Sequence, residues 1–329
     1  MDQLVAKLAG VVMEANARLV EATLGAGEGF PKANIGRWVM TPQGAKWAPN
    51  PEAPVDDTLS VLRVNGPRPQ PLAVLVNYAA HASVMAWGKS FSADYPGFLQ
   101  GVLEQVYGAE TTALFANGAS GDLKVNWVIQ KPDGSPDFGY GKVEDARRWG
   151  TLLAGEALKV SERMEVGDPG EIRIASTEVT LPLRPLPSVA SVEAELKAKQ
   201  EKGEETDWEE RVLPSLRDGT APQFLTGEVQ VLRVGHDIAF VAVPGELFAE
   251  VGLRMRKELG CRHLFIVGYA NGYVGYLPSA RSIREDGDTM RYDWHKCFWY
   301  PSHLAPEVEP VLCEAVCELF AETGRCADA

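Results

Sequence analysis

The chain has 329 residues, with 32 lysines and arginines against 45 aspartates and glutamates, which gives a formal net charge of −13. This acidic balance, without any run of lysine or arginine, argues against a nucleic-acid-binding protein, because phosphate backbones are held by clustered cations. Apolar residues make up 45% of the sequence, which is enough for a large core and excludes disorder, collagen and coiled coil as the main description.

No segment approaches the ~20 consecutive apolar residues that a bilayer-spanning helix needs. The first residues lack the basic start, the apolar stretch and the small-residue cleavage site of an export signal. We therefore expect no membrane span, no nucleic-acid partner and a cytoplasmic location for the sequence as written.

The first elements in chain order are a helix, a long excursion and two strands. Apolar residues spaced three and four apart predict an amphipathic helix over residues 2–24, which glycines at positions 25, 27 and 29 would end. Prolines at positions 31, 42, 49, 51 and 54 predict a surface excursion over residues 30–58. Apolar runs then predict strands over residues 59–64 and 72–78, the second of them buried on both faces.

The remaining elements alternate between helix and strand. The pattern predicts helices over 95–107, 142–160, 188–203, 245–259 and 307–322, and strands over 111–116, 171–181, 229–234, 238–243 and 263–269. The charged helix 188–203 lies in an excursion of about 185–225 that we expect to be solvated. This alternation predicts a single α/β domain over residues 1–329, with a layered mixed sheet and helices on both faces.

Polar side chains follow several of these strands, where ligands collect in open α/β sheets. His81 follows the strand that ends at 78, Glu246 the strand that ends at 243, and Tyr276 the strand that ends at 269. An imidazole, a carboxylate and a phenol are N and O ligands that suit zinc. Each also has an ordinary alternative, since His81 suits a structural hydrogen bond, Glu246 the first turn of a helix, and Tyr276 the core.

Five short segments resemble, in order and approximate spacing, the catalytic domain of the neutral/alkaline (non-lysosomal) ceramidases and their bacterial relatives. They are Asn77-Tyr-Ala-Ala-His81, Ser92-Ala-Asp-Tyr-Pro-Gly97, Phe115-Ala-Asn-Gly-Ala-Ser-Gly-Asp122, Val243-Pro-Gly-Glu246-Leu-Phe and Asn271-Gly-Tyr-Val-Gly-Tyr276. The family's enzymes are zinc amidohydrolases that cleave the amide of N-acyl sphingoid bases. The resemblance implies a ceramidase-like α/β fold and a zinc-dependent hydrolase acting on a small-molecule or lipid-like amide.

The resemblance also implies roles for individual residues. It makes His81, Glu246 and Tyr276 three of the zinc ligands. It implies that Arg37, which precedes the first predicted strand pair, faces the site, and that Tyr292 is a later active-site tyrosine.

Three further residues receive roles from the chemistry of water attack on a carbonyl. Asp122 or Asp94 would orient the water or a ligating imidazole. Lys124 or Arg37 would neutralise the tetrahedral oxyanion. For Asp94, a helix N-cap is an equally good interpretation.

Two features depart from the family. Its first histidine ligand lies in a His-x-His-Ser-Gly-Pro-like segment upstream of the helix that begins this sequence, and His295 is the best substitute among the remaining histidines. Lys124 stands where the family has its serine, which leaves Ser120 either as a nucleophile or as a loop hydroxyl bonded to backbone. Two hypotheses therefore remain open: a hydrolase that uses metal-activated water, and a non-catalytic or truncated family member with a degraded metal site.

Overall fold

The computed structural model describes residues 2–42, 44–85, 91–139, 141–286 and 294–324, so the predicted site residue Tyr292 lies outside the described residues. The strands are β1 (Thr23–Gly29), β2 (Asn34–Thr41), β3 (Gly44–Asn50), β4 (Leu59–Asn65), β5 (Pro71–Tyr78), β6 (Thr112–Asn117), β7 (Leu123–Val125), β8 (Val128–Gln130), β9 (Pro136–Phe138), β10 (Ile172–Pro182), β11 (Phe224–Val234), β12 (Ile238–Ala242), β13 (Glu246–Leu247), β14 (His263–Val267) and β15 (Tyr276–Leu277). The helices are α1 (Asp2–Ala17), α2 (Asp94–Tyr107), α3 (Val143–Ser161), α4 (Val189–Lys202), α5 (Asp207–Arg217), α6 (Ala249–Leu259), α7 (Ala280–Asp286), α8 (Trp294–Cys297) and α9 (Val308–Glu322).

Two four-stranded sheets form the centre of the fold. The fold is mixed α/β, which confirms the predicted fold class. The first has the strand order β1-β4-β5-β6 and the second has the order β10-β11-β12-β14. Each sheet contains one parallel pair, β5 with β6 and β12 with β14, while the other neighbours are antiparallel. Smaller sheets join β3-β2-β7, β13-β15 and β8-β9.

The two large sheets pack face to face, and helices cover their outer faces. Between the sheets, the rings of Phe240 and Phe265 stack with their centroids 4.6 Å apart, among aliphatic side chains from both sheets. Helices α2 and α3 bury their apolar sides on the first sheet, and α6 and α9 on the second. The layers therefore run helix, sheet, sheet, helix. In the part of the chain that the structure describes, no helix has the length and apolar content to cross a membrane.

The N-terminal helix is shorter than predicted, because a strand follows it. Helix α1 ends at Ala17, and the glycines expected to end it lie in β1. A Cβ at Gly25 would lie 2.3 Å from the carbonyl oxygen of Glu165, and one at Gly27 would lie 2.8 Å from Cγ1 of Val160. Alternate residues of a strand share a face, so these glycines let β1 approach the end of α3 closely.

The predicted surface excursion over 30–58 is wrong, because it contains two strands. Residues 33–38 of this segment are buried, and β2 pairs with both β3 and β7. The pairing with β7 joins Asn34 to Val125 and Ile35 to Lys124. Local proline content could not reveal a strand whose partner lies about 90 residues later in the chain.

The excursion over about 185–225 is helical, and part of it is buried. Helix α4 begins after the N-cap Ser188, whose hydroxyl accepts a hydrogen bond from the backbone N–H of Ser191, and it ends at the left-handed Gly203. It packs on α5, which the sequence did not predict, and the two helices share a small cluster around Trp208. This excursion is therefore a helical hairpin with a core of its own rather than a fully solvated segment.

Candidate metal centre

The candidate site lies where the carboxyl ends of the two parallel strand pairs meet. His81 follows β5, Glu246 lies in β13 just after β12, and Tyr276 lies in β15 after β14. Strands β13 and β15 run parallel, with Glu246 and Tyr276 as direct Cα partners. The fold therefore brings together three residues that are up to 195 positions apart in the chain.

Glu246 does not occupy the first turn of a helix, contrary to the predicted helix over 245–259. Helix α6 begins at Ala249, after the N-cap Phe248. The preceding residues are extended because the backbone at Gly245 approaches the other loop closely, so that a Cβ there would lie 2.4 Å from the carbonyl oxygen of Gly275. The resulting strand aims the carboxylate of Glu246 at His81.

His81 is held by backbone carbonyls and faces Glu246. Its Nδ1–H donates to the carbonyl oxygen of Ser120 at 2.6 Å and to that of Leu123 at 3.1 Å. Carbonyls only accept, so the proton of a neutral imidazole lies on Nδ1 and the lone pair lies on Nε2. That Nε2 is 2.6 Å from Oε2 of Glu246. Both atoms are buried, and among the described residues neither has a hydrogen-bond partner.

Two tyrosines that the sequence analysis missed hold the Glu246 carboxylate. The hydroxyl of Tyr273 donates to its Oε1, and the hydroxyl of Tyr269 also bonds to the carboxylate. Burial and the neighbouring carboxylate raise the pKa of both phenols, so both remain donors at neutral pH. Their positions depend on a loop in which Tyr269 and Asn271 have left-handed backbone, with φ of 59° at each. Neither periodicity nor composition reports such a loop.

Burial and hydrogen bonding act on the two facing groups in different ways. Burial, followed by the positive charge of Arg37, lowers the pKa of His81 below its ordinary value of 6.5. Burial raises the pKa of Glu246, but the hydrogen bond and the charge of His81, followed by the hydrogen bonds of Tyr273 and Tyr269, outweigh burial and lower it. Each of the two groups thus favours the charged form of the other, while burial and Arg37 oppose a charged imidazole.

Tyr276 and Arg37 lie beside this pair. The ring of Tyr276 stacks on the ring of His81, with centroids 6.2 Å apart and planes 25° from parallel. The guanidinium carbon of Arg37 lies 5.2 Å from the centroid of the Tyr276 ring. Arg37 is 4% exposed, and its guanidinium donates to the carbonyl of Gly121. The structure thus places Arg37 beside Tyr276, on a strand that the sequence had suggested to be a loop.

Lys124 is a second buried cation near the site. It is 4% exposed, and its ammonium lies 5.5 Å from the ring centroid of Trp47 and 5.2 Å from that of Phe138. Burial, followed by the nearby charge of Arg37, lowers the pKa of Lys124 to about 8. Trp47 lies against both cations and was missed in the sequence, because β3 fell within the predicted excursion.

The two predicted aspartates hold backbone in position. Oδ1 of Asp122 accepts a hydrogen bond of 2.8 Å from the backbone N–H of Ala249, and so caps α6 from a distant loop. The carboxylate of Asp94 accepts from the backbone N–H groups of Val84 and Met85, in the segment that follows His81. Asp94 is the first residue of α2 rather than its N-cap, which is Ala93. The structure thus gives Asp94 a positioning contact that the N-cap interpretation did not foresee.

The surroundings of Ser120 and His295 differ from those that the sequence suggested. The hydroxyl of Ser120 is fully buried and has no hydrogen-bond partner among the described residues, so it is not a loop hydroxyl bonded to backbone. The ring of His295 contacts His303, with centroids 3.8 Å apart, and lies edge-on to Trp208 at 5.4 Å.

This position makes His295 part of the packing beside the helical hairpin. Burial, followed by His303 and Lys296, lowers the pKa of His295 to about 3, while Glu195 acts in the opposite direction. Among the described residues, no group of three His, Cys, Asp or Glu side chains is arranged to hold a metal. The candidate centre is therefore a His-Glu pair with a tyrosine beside it.

A separate cleft of about 800 Å³ lies at the other end of the second sheet. It is lined by the turn at Gly235, His236 and Asp237, which precedes β12, and by His263 at the start of β14. The candidate centre lies beyond the opposite ends of these two strands. The cleft is thus no part of it.

The fold of this chain is that of the neutral ceramidases. The structure is similar to the crystal structure of neutral ceramidase from Pseudomonas aeruginosa, with a TM-score of 0.63 and 18% identity, over 97% of this chain and 56% of that one. It is also similar to a ceramidase complexed with C2, with a TM-score of 0.64 and 17% identity, over 96% and 56% of the two chains. This chain therefore spans just over half the length of those ceramidases. No protein-family model matches the sequence, and no curated protein matches it.

Proposed function

We propose that the chain is a ceramidase-like hydrolase that holds a divalent metal ion, best fitted by zinc, with His81, Glu246 and Tyr276, and that it cleaves an amide bond. The single observation that carries this proposal is the buried convergence of Nε2 of His81 and Oε2 of Glu246, beside the ring of Tyr276, at one edge of the two sheets. The similarity of fold to proteins named ceramidases supports an N-acyl amide as the substrate class.

The close approach requires a positive charge between the two atoms. With Nδ1–H committed to carbonyl oxygens, a neutral His81 presents a lone pair to an anionic oxygen. Two acceptors at this distance repel, and either a shared proton or a bound cation would remove that repulsion. A zinc ion, with bonds of about 2.0–2.2 Å, would require the two atoms to move apart from 2.6 Å. Burial and the charge of Arg37 oppose the protonated imidazole, Glu246 favours it, and the net effect lowers the pKa of His81. A neutral imidazole is the form that binds a metal ion.

The donor atoms suit zinc in type. Zinc takes imidazole nitrogen and carboxylate oxygen as ligands, and Tyr276 brings a phenol oxygen from the strand paired with that of Glu246. The backbone bonds to Nδ1 of His81 are the kind of outer contacts that orient a ligating imidazole. The tyrosine bonds to Glu246 do the same for the carboxylate.

The mechanism assigns the remaining groups of the site to charge stabilisation and positioning. When bound, zinc supplies a Lewis acid that polarises a carbonyl and lowers the pKa of water from ~15.7 toward about 7. Arg37 and Lys124 supply buried positive charge beside the site, where an oxyanion develops during attack on an amide. Asp122 and Asp94 hold the loops that carry the proposed ligands, through hydrogen bonds from backbone N–H groups.

A non-catalytic family member with a degraded metal site is the second candidate function. Its support is that 2.6 Å is also the length of a strong hydrogen bond, and that the described His, Cys, Asp and Glu residues offer only a pair at this place. In this alternative a proton shared between His81 and Glu246 neutralises the pair, and the fold serves another purpose.

Hydrolysis of a fluorogenic N-acyl amide by the purified chain, with and without added zinc, tests the proposal. We expect zinc-dependent turnover that falls at least ~10³-fold in His81→Ala and in Glu246→Ala. Glu258→Ala is the matched control, because Glu258 lies on α6 in a surface ion pair with Arg254. Equal turnover in all four proteins would show that the site is wrongly assigned, and absence of turnover in the wild type would favour the second candidate.

A further inference from the structure

Helix α1 presents an apolar face that nothing in the described part of the chain covers. Every residue from 2 to 21 is exposed, and none of the residues of α1 is buried within the described chain. Six large apolar side chains are between 56% and 72% exposed: Leu4, Val5, Leu8, Val11, Val12 and Met13. Together they offer several hundred Å² of apolar surface, more than a single helix usually leaves in water, and such patches mark interaction sites.

The apolar residues form a stripe with the repeat of a helical pairing seam. With 100° of rotation per residue, positions 4, 8, 11 and 15 and positions 5 and 12 fall within one arc of about 120°. Members of the stripe recur at intervals of seven, from Leu4 to Val11 and from Val5 to Val12. A repeat of seven keeps the stripe facing a single partner helix along its whole length.

The charges beside the stripe favour an identical helix in antiparallel orientation. Lys7, Glu14 and Arg18 lie along one border of the stripe, and Ala9 and Asn16 lie along the other. In an antiparallel pair, equivalent borders of the two helices face each other. A two-fold axis between positions 10 and 11 sets Lys7 opposite Glu14 of the partner subunit, twice by symmetry. A parallel pair would set the charged border against the uncharged one.

We infer that α1 pairs antiparallel with α1 of a second copy, so that the protein is a homodimer. A lipid surface suits the helix less well, since Asp2, Lys7, Glu14 and Arg18 leave it without net charge, and the whole chain carries −13. The inference stands independently of the proposed hydrolase, because α1 is not part of the candidate centre.

Sedimentation velocity of the full chain from about 1 to 100 μM tests this inference, since interfaces of this size dissociate within or below that range. We expect a dimer whose Kd rises at least ~100-fold in Leu8→Glu, because this change sets two carboxylates in the seam. Leu152→Glu is the matched control, as Leu152 is a helix residue of α3 that is 42% exposed. Its Kd should equal that of the wild type. The thermal midpoint of each Glu variant reports whether it still folds.

Charge reversal tests the orientation of the pair. Lys7→Glu sets like charges opposite each other at both symmetry-related contacts and should raise Kd about tenfold in low salt. Adding Glu14→Lys restores opposite charges and should return Kd to within about threefold of the wild-type value. Failure of the double variant to recover would overturn the antiparallel register.

Two results would overturn the homodimer itself. One is a monomer at every concentration in the wild type. The other is retention of the dimer by Leu8→Glu, which would place the interface elsewhere. A monomer that binds vesicles of neutral phospholipid through Leu8 would assign the apolar face to a lipid surface instead.

Discussion

Gly121 connects the loop after β6 to the strand that carries Glu246, and adding one methyl group there should disable the site. Its N–H donates to the carbonyl of Leu247 at 2.8 Å. A Cβ at this position would lie 2.3 Å from the carbonyl oxygen of Glu246 and 2.7 Å from Cδ1 of Phe248. Ordinary contact begins near 3.4 Å, so Gly121→Ala must push β13 away by about 1 Å.

The expected effects follow from that displacement. Overpacking of this size costs about 2 kcal/mol of unfolding free energy. A shift of ~1 Å at a ligand can reduce turnover about 100-fold, although no proposed site residue has changed. Gly101→Ala is the control, because Gly101 lies in α2 with no atom within 4 Å of the added Cβ. It should stabilise the protein by up to ~1 kcal/mol, since alanine favours helix over glycine.

Urea unfolding and N-acyl amide turnover, measured on both glycine variants and the wild type, test this reasoning. Normal stability and normal turnover in Gly121→Ala would refute the close approach of the two loops. Loss of turnover in Gly101→Ala as well would show that the effect does not arise from the contact with Glu246.

Three further changes have defined outcomes. Asp122→Ala should lower the free energy of unfolding in urea by about 1–2 kcal/mol, because α6 loses its cap, and Asp122→Asn should recover most of this loss. If Asp122 were instead a catalytic acid, both variants would lose turnover at unchanged stability. Lys124→Met should lower kcat about 10²–10³-fold at unchanged zinc content, while Lys131→Met, on the surface, leaves kcat unaltered. Burial and the neighbouring His303 and Lys296 lower the pKa of His295 in the folded chain to about 3, from an ordinary value of 6.5. Between these two pH values, the unfolded chain binds a proton that the folded chain does not. The free energy of unfolding should therefore fall by about 2 kcal/mol between pH 7 and pH 5. His295→Gln should abolish this part of the fall, and above pH 7 His295 should contribute no pH dependence to stability.

The sequence could predict which strand ends meet at the candidate site, because strand ends are a local signal. The buried runs that end at Tyr78 and Ala116 mark β5 and β6 to within one residue, and parallel pairing then brings the following loops to one edge. His81 and Glu246 lie 2.6 Å apart for this reason. These two residues are far apart in the chain, and it is the topology of the sheets, not local propensity, that brings them close together.

Other parts of the site depend on contacts that no local pattern contains. The strand that carries Arg37 is proline-flanked and becomes extended through its pairing with β7. Glu246 lies in a strand rather than a helix because the Gly245 backbone packs against Gly275. The bonds of Tyr269 and Tyr273 to the carboxylate require left-handed backbone at Tyr269, which is uncommon for any residue with a Cβ. Such features become visible only when both loops are in place.

The metal content of the purified full chain, after equilibration with zinc and removal of free ion, tests the central claim most directly. Elemental analysis should find about one zinc per chain in the wild type and in Glu258→Ala. It should find less than about a tenth of that in His81→Ala and in Glu246→Ala, because each removes one of the proposed ligands. The same zinc content in all four proteins, or none in the wild type, would contradict a metal ion bound by His81 and Glu246.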